Sequence, residues 1–162
     1  MEKETKVNIF DLEYSKLEKA EMITHLNKLL SSYQVFYHKT GNFYWNIVGQ
    51  DNYDLRKSFR DLNRKSRQHM DRLTGRIRLF NHRTTEKWKD ILLHSEIAES
   101  NSELTGFEMV KVIIADILTL LSAQSDCIQK AGELGDYGTE LVVKRMTCAL
   151  EEEYLLLVSW LK

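Results

Sequence analysis

The sequence predicts an all-α fold, an up-down four-helix bundle with a short extra helix in the long connection between the second and third long helices. The 162-residue chain contains no proline, where average usage would give roughly 8. Its 7 glycines are also few. Between the sparse turn-forming stretches lie four segments of about 25 to 30 residues in which apolar residues recur at steps of three and four. Helices of that length usually belong to bundles.

The spacing of apolar residues gives the position of each predicted helix in the sequence. The first long helix contains the pattern from Ile23 to Tyr44, the second from Leu55 to Phe80, and the short helix lies around Glu86 to Leu93. The third, from about Glu108 to Lys130, is apolar on several faces, so we expect several neighbours to bury it. The fourth contains the pattern from Leu141 to Leu161. Residues that favour helix N-termini precede the last three long helices: Asp51, Ser102 and Asp136.

The composition excludes several classes of protein. Apolar runs are too short for a membrane span, which needs roughly 20 residues. The 23 Lys and Arg balance 24 Asp and Glu, so no net field attracts nucleic acid or membranes. The charged N-terminus lacks a signal-peptide pattern, and Cys127 and Cys148 form no CxxC motif, so a cytoplasmic location is expected. We expect one domain over residues 1–162, with a flexible tail over 1–8.

Histidine spacing does not predict a metal site. A di-iron carboxylate bundle uses Glu-x-x-His motifs, and none is present. Pairs of a histidine and a carboxylate four residues apart favour a solvated surface pair over a metal site. Three histidines have this spacing: His25, His82 and His94. His38 is interpreted as a structural histidine, and Asp71 is too close in sequence to His69 to share its helix face.

The second long helix is strongly basic. Arg56, Arg60, Arg64 and Arg67 fall on one face at helical spacing. One interpretation is a solvated face, or one paired with the acidic residues 151–153 of the last helix. The alternative is an anion site, because several guanidinium groups match the geometry of phosphate.

An aromatic cluster closes the first long helix, in the sequence NFYWNIVG over residues 42–49. Aromatic residues at this density are typical of a core or a subunit interface. The longer stretch from Tyr37 to Gly49 resembles the Dps family (DNA-binding protein from starved cells) of the ferritin superfamily. Residues 26–30, before this stretch, also match the family. After it, further matches follow in the same order as in the family: residues 53–59, 70–78, 88–99, 135–139 and 151–161.

This resemblance implies a ferritin-like fold and a homo-oligomer, at least a dimer and in the family a dodecameric shell. Such shells store oxidised iron, serve in stress protection and, in many members, shield DNA. It also implies that Phe43, Tyr44 and Trp45 lie at the two-fold interface. Asp136 and Glu140 correspond to pore residues, and the alternative is that they stabilise a helix N-terminus.

The resemblance further implies an iron-oxidising centre between two-fold-related subunits, and there the sequence departs from the family. The two histidine positions fall on Tyr44 and Arg56, the next carboxylate on Arg60 and the final glutamate on Gly75, so that only Asp71 is retained. Iron needs several oxygen and nitrogen ligands. Guanidinium groups cannot be deprotonated, and in a closed interface we expect them to pair with Asp71. No catalytic residue and no working ferroxidase centre are therefore expected.

The expected function is that of a Dps-like protein in iron storage and stress protection, with iron implied by the resemblance and not supported by the ligand set. The alternative is a structural or anion-binding descendant that kept the bundle and the dimer. DNA binding has weak support. The tail offers only Lys3 and Lys6, interleaved with Glu2 and Glu4, whereas nonspecific DNA binding depends on several unopposed phosphate contacts.

Overall fold

A computed structural model describes residues 14–50, 52–101 and 103–162, and all regular secondary structure in these residues is helical. The tail predicted over residues 1–8 and the predicted helix-start residues Asp51 and Ser102 lie outside the described residues. Four long helices and one short helix confirm the predicted all-α bundle. The helices are α1 (Lys16–Asn46), α2 (Asn52–Leu79), α3 (Trp88–His94), α4 (Gly106–Leu134) and α5 (Tyr137–Trp160).

Two reciprocal capping boxes fix where α1 and α4 begin. The Ser15 hydroxyl accepts a hydrogen bond from the backbone N–H of Glu18, whose carboxylate accepts one from the backbone N–H of Ser15. Thr105 and Glu108 make the same pair of bonds at the start of α4. Helix α4 therefore begins three residues later than a cap at Ser102 predicts. Each cap of this kind stabilises the protein by about 1 kcal/mol.

Hydrogen bonds between helices show the directions in which the helices run relative to one another. Lys39 on α1 bonds Asp116 on α4, and Tyr33, earlier on α1, bonds Gln124, later on α4. Helices α1 and α4 are therefore antiparallel. Helix α2 also runs opposite to α1, since only a short turn joins them. Helices α2 and α4 thus run in the same direction, and the connection between them crosses the length of the bundle, as in ferritin-like topologies.

The connection between α2 and α4 lies against α1. The backbone N–H of Glu96 donates a hydrogen bond to the Ser32 hydroxyl at 3.0 Å, and its carboxylate lies 2.8 Å from the ammonium group of Lys28. Closer to the start of α3, the rings of Trp88 and His38 meet edge to face with centroids 5.9 Å apart. No helix in the described ranges is long and apolar enough to cross a membrane.

Candidate metal centre

The five positions at which the resemblance implies iron ligands, here called the ligand positions, lie at the end of α1 and along α2. Tyr44 is in the last turn of α1, and Arg56, Arg60, Asp71 and Gly75 are on α2. Arg60 and Asp71 are eleven positions apart, or about 16 Å along a helix axis. One chain therefore does not bring the ligand positions together, and a centre built from them would need a second chain.

Arg56 is held by its own chain. Its Nη2 donates a hydrogen bond to the carbonyl oxygen of Ile47 at 3.2 Å, which ties the beginning of α2 to the residue that follows α1. The side chain is half-buried, and its Nε is buried without a hydrogen-bond partner in the described part of the chain. A guanidinium group stays protonated and offers no acceptor. Arg56 therefore cannot coordinate iron and places a positive charge where a ligand is expected.

Arg60 and Asp71 do not contact each other within one chain. Arg60 is exposed and makes no hydrogen bond or ion pair with any described residue. Asp71 is also exposed, and its carboxylate lies 3.9 Å from Nε of Arg67, one turn earlier on α2. The pairing of Asp71 with Arg56 or Arg60 stays a prediction for an assembled interface.

The remaining two ligand positions supply little to a metal ion. A Cβ atom added at Gly75 would meet no atom within 4 Å, so the fold leaves room for a longer side chain there. Tyr44 is half-buried and packs against Trp45, with ring centroids 4.6 Å apart. Across the described ranges, no group of three or more His, Cys, Asp or Glu side chains could hold a metal ion. The donor set at the ligand positions does not fit iron.

The three aromatic residues assigned to the interface have different surroundings. Phe43 is fully buried in its own chain and packs against Phe59 with ring centroids 5.7 Å apart. This side chain lies on the face of α1 that meets α2 and has no exposed surface in the single chain, so its burial gives no support to the interface assignment of Phe43. Trp45, in contrast, is 69% exposed. An interface role for Trp45 and the half-buried Tyr44 stays a prediction.

Asp136 and Glu140 make contacts within their own chain. Asp136 is 3% exposed, and its Oδ1 accepts hydrogen bonds from Nη2 of Arg76 at 2.9 Å and from the backbone N–H of Thr139 at 3.1 Å. Within its own chain Asp136 is the buried N-cap of α5, which is the alternative role, and a pore role for Asp136 stays a prediction. Glu140 accepts a hydrogen bond from Lys144. A pore role for this partly exposed residue stays a prediction.

The basic face of α2 is not neutralised by α5. Arg64 lies 3.4 Å from Asp61 on its own helix. Glu153 is buried and accepts a hydrogen bond from Lys65, so a lysine outside the arginine face joins α2 to α5. The other two acidic residues, 151 and 152, are exposed. The arginine face is therefore a largely solvated surface of the single chain.

A chain of hydrogen bonds that sequence analysis missed crosses the core and joins all four long helices. We call it the core polar chain. Nδ1 of His69 on α2 lies 3.2 Å from the hydroxyl of Tyr33 on α1. Gln124 on α4 donates to this hydroxyl at 2.6 Å, and the hydroxyl of Thr147 on α5 donates to Oε1 of Gln124 at 2.8 Å. An unsatisfied buried polar group costs about 1 to 3 kcal/mol, so these four side chains depend on one another.

The protonation states in the core polar chain follow from its geometry. The Tyr33 hydroxyl accepts from Gln124 and can donate its own proton to Nδ1 of His69, an arrangement in which Nδ1 is the unprotonated ring nitrogen. Burial, reinforced by the charges of Arg72 and Lys65, lowers the pKa of His69 to about 4. Burial raises the pKa of Tyr33. Both rings are therefore neutral at pH 7.

A second buried polar contact joins α1 to α4. Nζ of Lys39 lies 2.6 Å from Oδ2 of Asp116, with the two side chains 4% and 13% exposed. Burial raises the pKa of Asp116, and the hydrogen bond and charge of Lys39 oppose that change. This ion pair includes none of the ligand positions, and it acts as a contact between α1 and α4.

Comparisons with known proteins identify the fold. A sequence model of the ferritin-like domain matches residues 23–161. The chain is 24% identical to the DNA protection during starvation protein of Brevibacillus brevis, over 85% of this chain and 92% of that protein. It is 24% identical to General stress protein 20U of Bacillus subtilis, over 74% of this chain and 82% of that protein.

Among solved structures, the chain is similar to the Dps protein from Vibrio cholerae O1, described as a member of a broad superfamily of ferritin-like diiron-carboxylate proteins. The two chains share 28% identity and a TM-score of 0.87, over 90% of this chain and 92% of that one.

Proposed function

Because the chain belongs to the ferritin-like domain family and has a Dps-like fold, we propose that it acts in stress protection as a cytoplasmic homo-oligomeric shell without iron oxidation at the ligand positions. The names of the Brevibacillus and Bacillus relatives support the protective role. Under this proposal, iron storage uses the interior of the shell and does not depend on a ligand set on α2.

The position of Arg56 is the main support for the lack of iron oxidation. Its hydrogen bond to Ile47 keeps the guanidinium group at the start of α2, one turn before the free Arg60. A divalent ion about 5 Å from one guanidinium group is destabilised by about 7 kcal/mol at an effective dielectric constant of about 20. Asp71 alone does not offset two such charges, so a ferrous ion has no favourable place there.

Exposed apolar side chains support the proposal of an oligomer. Soluble monomers rarely expose large contiguous apolar patches, and such patches indicate interaction surfaces. At least half of the side chain is exposed at several such positions outside the bundle core: Trp45, Val48, Tyr53, Leu93, Tyr137, Leu141, Leu155 and Leu156. These positions lie on four different helices and one loop, which suits a particle that uses more than one kind of contact.

Ferrous loading tests the chemical part of the proposal. The purified protein is loaded anaerobically with ferrous ion, and oxygen or hydrogen peroxide is then added while ferric absorbance is followed. We expect oxidation no faster than in protein-free buffer. A fast phase that saturates at a fixed number of iron ions per subunit would contradict the proposal.

Sedimentation velocity tests the assembly part separately. A particle with the mass of about twelve subunits supports the shell that the resemblance implies. A monomer or an isolated dimer at low micromolar concentration would contradict it, whatever the outcome of ferrous loading.

A non-catalytic anion-binding descendant is the second candidate, and the guanidinium group of Arg60, which has no partner among the described residues, favours it. Titration calorimetry with inorganic phosphate at low salt is the test. We expect binding heat in the wild type that Arg60→Gln removes and that Arg145→Gln, at another exposed arginine, retains. Absence of heat in the wild type would reject this candidate.

A further inference from the structure

A cleft of about 1150 Å³ lies between the first half of α1 and the connection that leads from α2 into α3. Two carboxylates, those of Glu86 and Asp90, line it together with five cationic side chains. The five cationic residues are Lys16, Lys19, Lys28, Arg83 and Lys87. We call this site the cationic cleft. Its excess of positive charge favours an anionic ligand.

The cationic cleft has ammonium groups without partners on two of its walls. The side chains of Lys16, at the start of α1, and Lys87, directly before α3, make no ion pair or hydrogen bond with any described residue. Lys28, in contrast, is paired with Glu96 at 2.8 Å. An anion in the cleft can therefore be bound from α1 and from the connection without breaking an existing ion pair.

The connection also brings hydrogen-bond donors to the cleft. Thr84 and Thr85 are half-buried and line it. Neither the backbone N–H nor the hydroxyl of either threonine is hydrogen-bonded to another described residue. Arg83 precedes them and has only an exposed, weak ion pair with Glu86 at 3.7 Å, while Lys87 follows two residues later. Hydroxyl and backbone donors between two cations match the oxygen atoms of a phosphate group.

The length of the cleft favours a row of phosphate groups over a single phosphate ion. Its α1 side, from Lys16 to Lys28, covers twelve helical steps, or about 18 Å. A linear phosphate chain carries charge along that whole length, whereas a single ion contacts only one part of the lining. Several phosphates that are neutralised together also release several counterions, which strengthens binding at low salt.

The lining distinguishes between possible sources of a phosphate chain. Sites for single-stranded nucleic acid stack the bases on aromatic side chains. None of the described residues that line the cleft is Phe, Tyr or Trp. The cleft therefore offers cations and donors to phosphate groups and no aromatic platform to bases, which favours a phosphate chain that has no bases.

We propose that the cationic cleft binds linear inorganic polyphosphate. The ammonium groups of Lys16 and Lys87 neutralise phosphates along the chain, and Thr84 and Thr85 donate hydrogen bonds to its oxygen atoms. The site consists of residues of one chain and includes none of the ligand positions. It is therefore independent of iron chemistry, of anion binding at Arg60 and of the size of the particle.

Fluorescence anisotropy of labelled polyphosphate with the full-length protein, measured as the salt concentration rises, tests the charges of the cleft. Lys16→Gln with Lys87→Gln should weaken binding at low salt at least about tenfold and reduce the slope of log affinity against log salt by about 1 to 2. Lys111→Gln with Arg145→Gln is the matched control, since both residues are exposed and lie outside the cleft. We expect no change in the control.

Two results of this experiment would overturn the proposal. One is the absence of binding to the wild type at low salt. The other is equal weakening in the cleft variant and in the control, which would show that the probe responds only to the total charge of the protein.

A variant without a change of charge tests the hydrogen bonds. Thr84→Val with Thr85→Val removes both hydroxyl donors and should weaken binding by about threefold to tenfold, with an unchanged salt slope. Circular dichroism checks that the helical content is retained. Unchanged affinity would overturn the placement of the phosphate chain at the connection.

Competition identifies the ligand. Unlabelled polyphosphate should displace the probe, whereas inorganic phosphate and single-stranded or duplex DNA at the same phosphate concentration should displace much less. Equal displacement by inorganic phosphate would show a site for a single ion, and equal displacement by DNA would show a site for nucleic acid. Either result would overturn the assignment to polyphosphate.

Discussion

The core polar chain and the ligand positions both bring polar groups to specific places on the bundle helices, and they differ in how far one chain satisfies them. Tyr33 and Gln124 are completely buried, and each has hydrogen-bond partners on other helices. Arg60 has no partner in the described residues, and Gly75 faces open space. Hydrogen bonding is complete in the first region and incomplete in the second.

The difference indicates where each region obtains its stability. Buried polar groups must be paired within the chain because water cannot reach them. Exposed groups on α2 lose nothing when they are unpaired in the monomer, so their partners can come from a neighbouring subunit or from solvent. Changes in the core should therefore alter unfolding, whereas changes on the outer faces should alter assembly or ligand binding.

The largest expected effect concerns assembly. Trp45→Ala should weaken association by about 3 to 6 kcal/mol per dimer, because fully burying an aromatic side chain contributes about 1.5 to 3 kcal/mol and a two-fold interface contains two copies. Circular dichroism should show an unchanged helical content. Sedimentation of the variant decides the matter, since an unchanged particle mass at low micromolar concentration would exclude an interface role for Trp45.

The buried ion pair between α1 and α4 should have the next largest effect. Lys39→Met leaves the carboxylate of Asp116 buried without its cation and should lower the free energy of unfolding by about 3 to 5 kcal/mol. Urea unfolding measures this change. The double variant Lys39→Met with Asp116→Leu is the control and should recover most of the loss, because no charge remains buried. A double variant as unstable as the single one would show that packing, and not charge, is the cause.

The core polar chain should make stability dependent on pH. The pKa of His69 is about 4 in the folded protein and 6.5 for a free histidine, so the unfolded chain binds more protons below pH 6.5. The free energy of unfolding should therefore fall as the pH drops from 6.5, by about 2 kcal/mol at pH 5 and about 3 kcal/mol at pH 4.

Carboxylates also titrate in this range, so the informative quantity is the difference from His69→Gln. This variant should lose the part of the pH slope between pH 6.5 and 5 that belongs to the imidazole. Identical slopes in the two proteins would show that the buried ring does not control the dependence.

Substitution of two glycines by alanine should have the smallest effects on the free energy of unfolding, and the two effects should have opposite signs. Gly75→Ala should raise the free energy of unfolding by about 1 kcal/mol, since alanine is the better helix former and the site is open. At Gly138 an added Cβ would lie 2.9 Å from Nη1 of Arg76, so Gly138→Ala should be destabilising through the Arg76–Asp136 contact. Thermal unfolding compares the two. Loss of assembly in Gly75→Ala would indicate that a neighbouring chain packs closely there.

The fold could be predicted from the sequence because its determinants are local and periodic. The absence of proline and the spacing of apolar residues predict the long helices, and Asp136 caps α5 as its position predicts. The core polar chain could not be predicted in this way, since the four residues lie on four helices and only the folded structure brings them together. The signal that the sequence offers for a buried polar contact is Gln124, a polar residue within the apolar stripe of α4.

The candidate site was predicted in part. The substitutions at the ligand positions can be read from the sequence, and the structure adds that Arg56 is anchored and Gly75 is open. The burial of individual side chains within one chain could not be predicted from the sequence. Phe43 and Asp136 were assigned to shared surfaces although their own chain encloses them, because a linear pattern does not distinguish a residue that faces a neighbouring helix from one that faces a neighbouring subunit.

The central claim is that the substituted ligand positions abolish iron oxidation, and a rebuilt variant tests it most directly. The initial rate of ferrous oxidation by peroxide is measured for the wild type and for Arg56→His with Arg60→Asp and Gly75→Glu, at equal subunit concentration and confirmed particle mass. The account predicts a wild-type rate equal to that of buffer and a rebuilt variant that exceeds it by at least about tenfold, since metal sites rest on ligand identity and number. A wild-type rate as high as that of the rebuilt variant would contradict it.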